Sequence, residues 1–497
     1  MTLDPLKPIP ANEFDYWNAL HLLDRAGFGG TPEEAQILVA QGPEKAVDQL
    51  LRGAMRFQID DSESAFQSEI MRPFTEDEVK KVNEARKNGN ELYLAQYRKR
   101  VQSRQSQDRK QLAAIRRWWL GRMIETPSPL QEKMTLFWHG HFATGYRTIE
   151  NSWHMYAQNS MFRRFAVGNF SDLLGRIIRD PAMLRYLDNN RNRKNSPNEN
   201  LARELMELFV LGEGNAYNEK DIKEAARALT GYTFKHNEFV FNENQHDGEP
   251  KRILGRSGRF DGDDLVQVLL SRPEAANFLC TKLVRFFVDD RPGEPTPETR
   301  QVIRGLTRTM IRSKYQVSDV LRQLFLSRYF HDQTNHANVI KSPIQLIVQG
   351  IRTLGLPPRD LDSLLDASRL MGQELMQPPS VKGWDGGRSW INTATLFARQ
   401  NLMVYLLTGR RPNGSNWAQN DVPYDASKLI AHLPAGDRQN PEAVTDYLLR
   451  LNLGTKPLVE RREVLKAFMT ETGNRVDNDR LVACLALITA MPEYQLC

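Results

Sequence analysis

Residues 196–232, SPNENLARELMELFVLGEGNAYNEKDIKEAARALTGY, carry the clearest fold signal in the chain. Leu201 and Leu205, with the apolar residues that follow them, recur at helical spacing and form one apolar stripe. Gly212 supplies the residue type that commonly ends a helix, and Asn218 is a good first-turn cap for the next one. The segment therefore predicts two helices joined by a short loop, an antiparallel helical hairpin.

Helical periodicity continues on both sides of this hairpin. The one strand-like stretch begins with YTFKHNEFVF at residues 232–241, where apolar residues partly alternate around a polar turn, and KRILG follows it closely. We expect a mainly α fold, a multi-helix assembly with a small β ribbon near residues 232–258 and a small C-terminal helical module.

Composition shifts along the chain predict five segments. They are an N-terminal helical segment (1–72), a long basic helical arm (73–126), a main helical body with the β ribbon (127–408), a linker (409–425) and a C-terminal helical module (426–497).

The chain has 497 residues, 40% of them hydrophobic and 26% charged, which excludes a disordered tail and a fibrous protein. The net charge of +6 has one main source, because the stretch from Lys80 to Arg117 holds 12 Lys or Arg against 3 Asp or Glu. A solvated helix and a surface for an anionic partner both fit this stretch. We do not expect a nucleic-acid partner, because few aromatic side chains accompany the basic ones.

Three cysteines are too few for a disulfide framework, and no apolar run approaches the roughly 20 residues that cross a bilayer. The first residues show no basic segment followed by an apolar one, as a secretory leader would. As written, the sequence predicts a soluble cytoplasmic protein without a membrane span.

Two histidines in the segment FWHGHF are candidate metal ligands, His139 and His141. On an intact helix their side chains would diverge by roughly 200°, so they converge only if the helix ends at Gly140. The alternative is that both imidazoles are buried and hydrogen-bonded to backbone.

The first predicted helix of the hairpin places Asn200, Arg203, Glu204 and Glu207 on one face. In one interpretation this face lines a pocket, with Glu204 as a metal ligand, Glu207 as a catalytic acid or base, and Asn200 and Arg203 in contact with an anion or substrate. In the other it is a solvated surface of intrahelical ion pairs.

Two loops supply further candidates. His246 and Asp247 stand next to each other after the ribbon and could take catalytic roles, although a tight turn also explains them. The segment VKGWDGGRSW carries Trp384 and Trp390, whose indoles could stack on a sugar or instead anchor the loop by packing. The sequence has no nucleotide phosphate loop, no GxSxG elbow, no HExxH and no kinase signature.

Several segments, in this order, resemble the large bacterial family known as domain of unknown function 1800 (DUF1800), with the similarity spanning roughly residues 17–406. They are HLLDRAGFGG (21–30), KMTLFWHGHFAT (133–144), FRRFAVGNFSDLL (162–174), RDPAMLRYLDN (179–189), PNENLARELMELFVLG (197–212), DIKEAARALTGY (221–232), HDGEPKRILGRSGRFDGDD (246–264), KLVRFF (282–287), IKSPIQL (340–346) and PPSVKGWDGGRSWINTATLFARQN (378–401).

The resemblance implies no particular activity, since the family has none established to carry over. It also implies a possible protein partner from a neighbouring, sulfatase-like exported family, and an exported location. Many members of the family have His where this sequence has Phe209.

Two functions remain open from the sequence. The first is a metal-dependent enzyme, perhaps a hydrolase, with His139, His141 and Glu204 around a divalent ion, and with Glu207, Asp247 or His246 in catalysis. The second is a non-catalytic scaffold, or a glycan-binding or partner-binding protein, in which the tryptophan loop is the contact surface.

Overall fold

The computed structural model describes residues 4–56, 65–357, 359–471 and 476–497. The structure is 62% helical and has two small two-stranded sheets in these described ranges, so the mainly α fold is confirmed. Within those residues no helix is both long and apolar enough to cross a membrane.

The helices before the hairpin include the basic arm. They are α1 (Tyr16–Ala26), α2 (Pro32–Gln41), α3 (Pro43–Met55), α4 (Glu76–Lys87), α5 (Glu91–Glu125), α6 (Pro129–His141), α7 (Tyr146–Ile149), α8 (Ser152–Arg164), α9 (Phe170–Ile177) and α10 (Pro181–Tyr186). The arm is thus a pair of helices, α4 and α5. The first half of α5 is largely exposed, whereas its last turns are buried through side chains such as Ile115 and Trp119.

The hairpin and the strands follow. They are α11 (Asn200–Glu204), a π-helical segment (Leu205–Val210), α12 (Glu219–Ala228), β1 (Tyr232–Lys235), β2 (Glu238–Phe241), β3 (Lys251–Ile253) and β4 (Arg256–Gly258). β1 pairs with β2 and β3 with β4, both antiparallel. The predicted ribbon is therefore two separate two-stranded sheets.

The remaining helices form the second half of the fold. They are α13 (Gly262–Leu270), α14 (Pro273–Phe287), α15 (Pro297–Arg312), α16 (Val317–Leu326), α17 (Pro343–Leu354), α18 (Leu361–Leu370), α19 (Thr393–Thr408), α20 (Ala435–Arg438), α21 (Pro441–Asn452), α22 (Val459–Thr470) and α23 (Asn478–Thr489).

The first helix of the hairpin is less regular than its apolar stripe predicts. α11 has only five residues, and the chain then widens into the π-helical segment, where Leu211 N–H donates to the carbonyl of Met206, five residues back. A π-turn changes which backbone carbonyls are free to accept other hydrogen bonds. Here the carbonyl of Phe209 accepts a hydrogen bond from His141, at 2.9 Å.

Two hydrophobic cores lie on either side of α6. Met134 and Trp138 belong to the first core, which includes most of the buried side chains up to residue 330. Leu136 belongs to the second, which joins the end of α5 to α17, α19, α21 and α23. The C-terminal helices thus share a hydrophobic core with helices from the middle of the chain. The division of the chain into five segments stays a prediction. α6 lies between the two cores, where the cleft described next is found.

Candidate functional site

A cleft with a volume of about 650 Å³ opens beside α6. Pockets of this volume commonly bind small organic ligands. Its walls come from distant parts of the chain, which are α1, α6, α14, the loop after α14, residues 339–345 and the tryptophan loop. The side chains that line it include Arg25, Lys133, Leu136, Phe137, His141, Lys282, Arg285, Phe286, Asp290, Arg291, Lys382, Trp384, Asp385, Arg388 and Trp390.

The lining of the cleft is strongly cationic. Seven Lys or Arg side chains line it, against two Asp side chains, Asp290 and Asp385. Two of the cations are neutralised outside the lining, because Lys382 pairs with Glu213 at 2.6 Å and Arg291 with Asp289 at 2.7 Å. In the described part of the chain, the other five have no carboxylate within 4.0 Å. They are Arg25, Lys133, Lys282, Arg285 and Arg388.

His141 lines this cleft in a defined tautomer. Its Nε2–H donates to the carbonyl of Phe209 at 2.9 Å, so Nδ1 carries the lone pair. Nδ1 is buried and has no hydrogen-bond partner among the residues that the structure describes. Burial and, to a smaller extent, the charge of Lys282 together lower the pKa of His141 to about 3. The imidazole is therefore neutral at physiological pH, with a free acceptor nitrogen.

His139 has different surroundings. α6 extends through Gly140 to His141, so the two imidazoles are on different sides of the helix. His139 Nε2 accepts a hydrogen bond from the backbone N–H of Met376 at 3.0 Å, and its ring centroid lies 5.5 Å from that of Trp384. Burial lowers the pKa of His139 to about 3. Its Nε2 therefore anchors the backbone before the tryptophan loop.

The polar face of α11 forms an ion-pair cluster. Arg203 contacts Glu199 at 3.1 Å, Glu207 at 3.3 Å and Glu219 at 2.8 Å. Asn200 on the same helix is exposed. These residues are absent from the lining of the cleft.

Glu204 differs from its neighbours on that face. Its Oε2 is buried without a hydrogen-bond partner among the described residues. Burial raises the pKa of Glu204, and the charge of Glu207 raises it further. Glu204 is thus a buried acceptor outside the cleft lining.

The loop after the first sheet is held by the protein itself. Arg227 Nε donates to Asp247 Oδ2 at 2.6 Å, and His246 Nδ1–H donates to the carbonyl of Thr230 at 2.9 Å. Although burial raises it, hydrogen bonds from Arg227 bring the pKa of Asp247 below its ordinary value. Neither His246 nor Asp247 lines the cleft.

The tryptophan loop forms one wall of the cleft through Trp384 and Trp390. Trp384 is half-buried, and its Nε1–H has no acceptor among the described residues. The loop approaches α6 closely at Gly383, whose φ is +81° and where a Cβ atom would clash with the carbonyl oxygen of Gly140. Only glycine allows this contact, which places Trp384 beside the end of α6.

The structure brings together three of the candidates from the sequence, His141, Trp384 and Trp390. Lys133, Lys282 and the other cations of the cleft were missed, although Lys133 and Lys282 each stand at the start of a largely apolar run, KMTLFW and KLVRFF. Among the described residues, no group of three or more His, Cys, Asp or Glu is placed to hold a metal ion. A metal site with His139, His141 and Glu204 stays a prediction.

Comparison with known proteins gives one match. The model of a family described as "Protein of unknown function (DUF1800)" matches residues 21–496. No curated protein and no solved structure matches the chain.

Proposed function

The chain belongs to the DUF1800 family, whose description names no activity, and we propose that its cleft binds an anionic saccharide. The observation that carries this proposal is the lining of the cleft, with seven Lys or Arg and two Asp side chains. The proposal develops the glycan-binding hypothesis that the tryptophan loop suggests from sequence.

The charge of the cleft supports an anionic ligand. Five cations in the lining have no carboxylate partner in the described structure, and two of them, Arg25 and Lys133, are buried, where water screens their field less. The pKa of Lys282 shows that these cations destabilise one another. Burial lowers this pKa most, and the neighbouring cations Arg285 and Lys382 lower it further. A bound anion would relieve this repulsion, so its binding is favoured over that of a neutral molecule of the same shape.

The uncharged groups of the cleft support a saccharide. The indoles of Trp384 and Trp390 offer flat apolar surfaces for a sugar ring. His141 Nδ1 is an acceptor without a donor, and Trp384 Nε1–H is a donor without an acceptor, in the described part of the chain. Sugar hydroxyls both donate and accept hydrogen bonds, so they satisfy both kinds of group.

Calorimetric titration with three sugars tests the proposal. Methyl β-glucuronide and glucose 6-phosphate are anionic, and methyl β-glucoside is the neutral control. We expect at least one anionic sugar to bind roughly tenfold or more tightly than the glucoside, since a charge-assisted hydrogen bond contributes about 1.5–3 kcal/mol.

Two lysine variants locate the binding. Lys282→Met should weaken the better anionic ligand roughly tenfold, whereas Lys45→Met, at an exposed position of α3 outside the cleft, should have no effect. The proposal is wrong if neither anionic sugar binds more tightly than the glucoside, or if both variants weaken binding equally.

A second candidate function is a metal-dependent enzyme, such as a hydrolase. One observation favours it, because Glu204 Oε2 and His141 Nδ1 are both buried acceptors with no hydrogen-bond partner in the described residues. In this proposal Glu204 and His141 hold a divalent ion, and Glu207, His246 or Asp247 takes part in catalysis. His139 is not part of this ligand pair, because its Nε2 accepts from Met376 on another side of α6.

Elemental analysis of the chain, purified without a metal-affinity tag, tests the second candidate. The expected result is a stoichiometric divalent metal that is lost in Glu204→Gln and retained in Glu219→Gln, an exposed carboxylate on the Arg203 cluster. Absence of metal, together with no binding of Zn²⁺ or Mn²⁺ on titration, would exclude it.

A further inference from the structure

The inner part of the cleft contains a buried ammonium group, that of Lys133. The side chain is 7% exposed. Its Nζ donates to the carbonyl of Gly27 at 3.1 Å and to the side-chain oxygen of Gln345. An ammonium group has three N–H donors, so one remains after these two bonds.

Arg25 lines the same cleft, is 2% exposed, and is near enough for its charge to act on the pKa of Lys133. Its Nη2 donates to neutral oxygens, the carbonyl of Val288 at 2.5 Å and Asn338 Oδ1 at 2.7 Å. Its Nε–H is buried and has no acceptor among the described residues. The guanidinium group therefore also retains a donor that the protein does not use.

The two cations repel each other without a directly bound counterion. Burial lowers the pKa of Lys133 to about 8, and the charge of Arg25 contributes to this shift, while Cys497 and the carboxylate of Asp24 oppose it. Asp24 does not bond Lys133 directly but through two amides, since Gln349 Nε2 donates to Asp24 at 2.9 Å and Gln345 Nε2 donates to Gln349 at 2.9 Å. Two buried cations that Asp24 and Cys497 compensate only in part are costly to fold, and a bound anion lowers that cost.

We infer that Arg25 and Lys133 form a subsite for the carboxylate of a sugar acid, such as a uronate, at the inner part of the cleft. This inference rests on the proposed saccharide function and specifies its ligand. Each cation keeps at least one unused N–H, the third N–H of Lys133 Nζ and the Nε–H of Arg25, and a carboxylate offers one oxygen to each.

The apolar walls of the subsite favour a carboxylate over a phosphate. Leu136, Phe137 and Phe286 line the same cleft, and the Lys133 Nζ lies 5.8 Å from the ring centroid of Phe286. Removing a doubly charged phosphate from water costs more than removing a singly charged carboxylate, and two donors satisfy fewer of its oxygens.

Methyl β-glucuronide and methyl β-glucoside test the subsite, because they differ only in a carboxylate against a hydroxymethyl group. In the wild type we expect the glucuronide to bind at least tenfold more tightly than the glucoside. In Lys133→Gln, whose amide can still donate to Gly27, this preference should fall to threefold or less.

The outcomes separate the subsite from the wider function. If the glucuronide preference persists in Lys133→Gln, or if only glucose 6-phosphate binds more tightly than the glucoside, the subsite is wrong and the saccharide function stands. If neither anionic sugar binds, the proposed function itself fails.

Chemical modification of Lys133 in the wild-type protein tests the subsite even if the Lys133→Gln variant misfolds. Reductive methylation with formaldehyde and borohydride at pH 8 is followed at Lys133 by peptide mass spectrometry, with the exposed Lys45 as internal control. Burial lowers the pKa of Lys133 to about 8, so much of its amine is neutral and reactive at this pH. Saturating methyl β-glucuronide should slow methylation of Lys133 at least fivefold and leave Lys45 unchanged. An unchanged rate at Lys133 would overturn the inference.

Discussion

Replacement of Glu132 by Gln should lower the free energy of unfolding by about 3–5 kcal/mol, the usual cost of removing one partner from a buried ion pair. Glu132 is fully buried in α6 and accepts hydrogen bonds from Arg163 Nε at 2.6 Å, Arg122 Nε at 2.7 Å and Trp119 Nε1 at 3.1 Å. Burial alone would raise the pKa of Glu132, but Arg163 and Arg122 bring it below its ordinary value. The amide would leave the buried Arg163 without its counterion.

Urea denaturation followed by circular dichroism measures this loss. The matched control is Glu13→Gln, which removes an exposed carboxylate from an ion pair with Arg328 at 2.7 Å. Such surface pairs contribute little, so this variant should behave as the wild type. Equal losses in the two variants would show that the buried network does not stabilise α6.

Substitution of Gly383 by Ala should weaken binding of methyl β-glucuronide by at least tenfold and also lower stability. The added Cβ would clash with the backbone carbonyl of Gly140, and backbone cannot move aside as a flexible side chain can. The tryptophan loop would shift away from α6, and Trp384 would leave the wall of the cleft. The measurement is the same calorimetric titration, with urea denaturation in parallel.

Gly355→Ala is the control for backbone strain. Gly355 ends α17 with a φ of +55°, and a Cβ there would meet no atom within 4 Å. Its substitution should cost about 1 kcal/mol of stability and leave the affinity unchanged. If Gly383→Ala retains the wild-type affinity, the position of the tryptophan loop is not needed for binding.

Local features of the fold were predictable because their causes lie within a few residues. Asn218 and Asp221 form a reciprocal capping box at the start of α12, as their spacing predicts. Ser128 shows the limit of such rules. Ser128, Pro129 and Gln131 are the residue types of a capped helix start, and Pro129 does begin α6. The Ser128 side chain nevertheless makes no capping hydrogen bond, and the Gln131 side chain donates instead to the carbonyls of Ala54 and Arg56. That contact depends on the packing of α6 against α3.

The cleft could not be predicted as a unit, because its cations come from positions as distant as Arg25, Lys133, Lys282 and Lys382. Composition located the largest charge surplus in the arm, and only the packing of the helices brings these separate residues together. His141, Trp384 and Trp390 were identified from residue type alone. Glu207 and Asp247 were candidates on the same basis, and the structure places both in ion pairs with arginines outside the cleft.

A crystal structure of the chain grown with saturating methyl β-glucuronide tests the central claim most directly. The saccharide function predicts the sugar ring in the cleft against Trp384, and the subsite predicts its carboxylate within about 3.5 Å of Lys133 Nζ. Electron density that places the sugar on another surface would contradict the saccharide function. So would a cleft that is well ordered but holds no sugar at saturating methyl β-glucuronide.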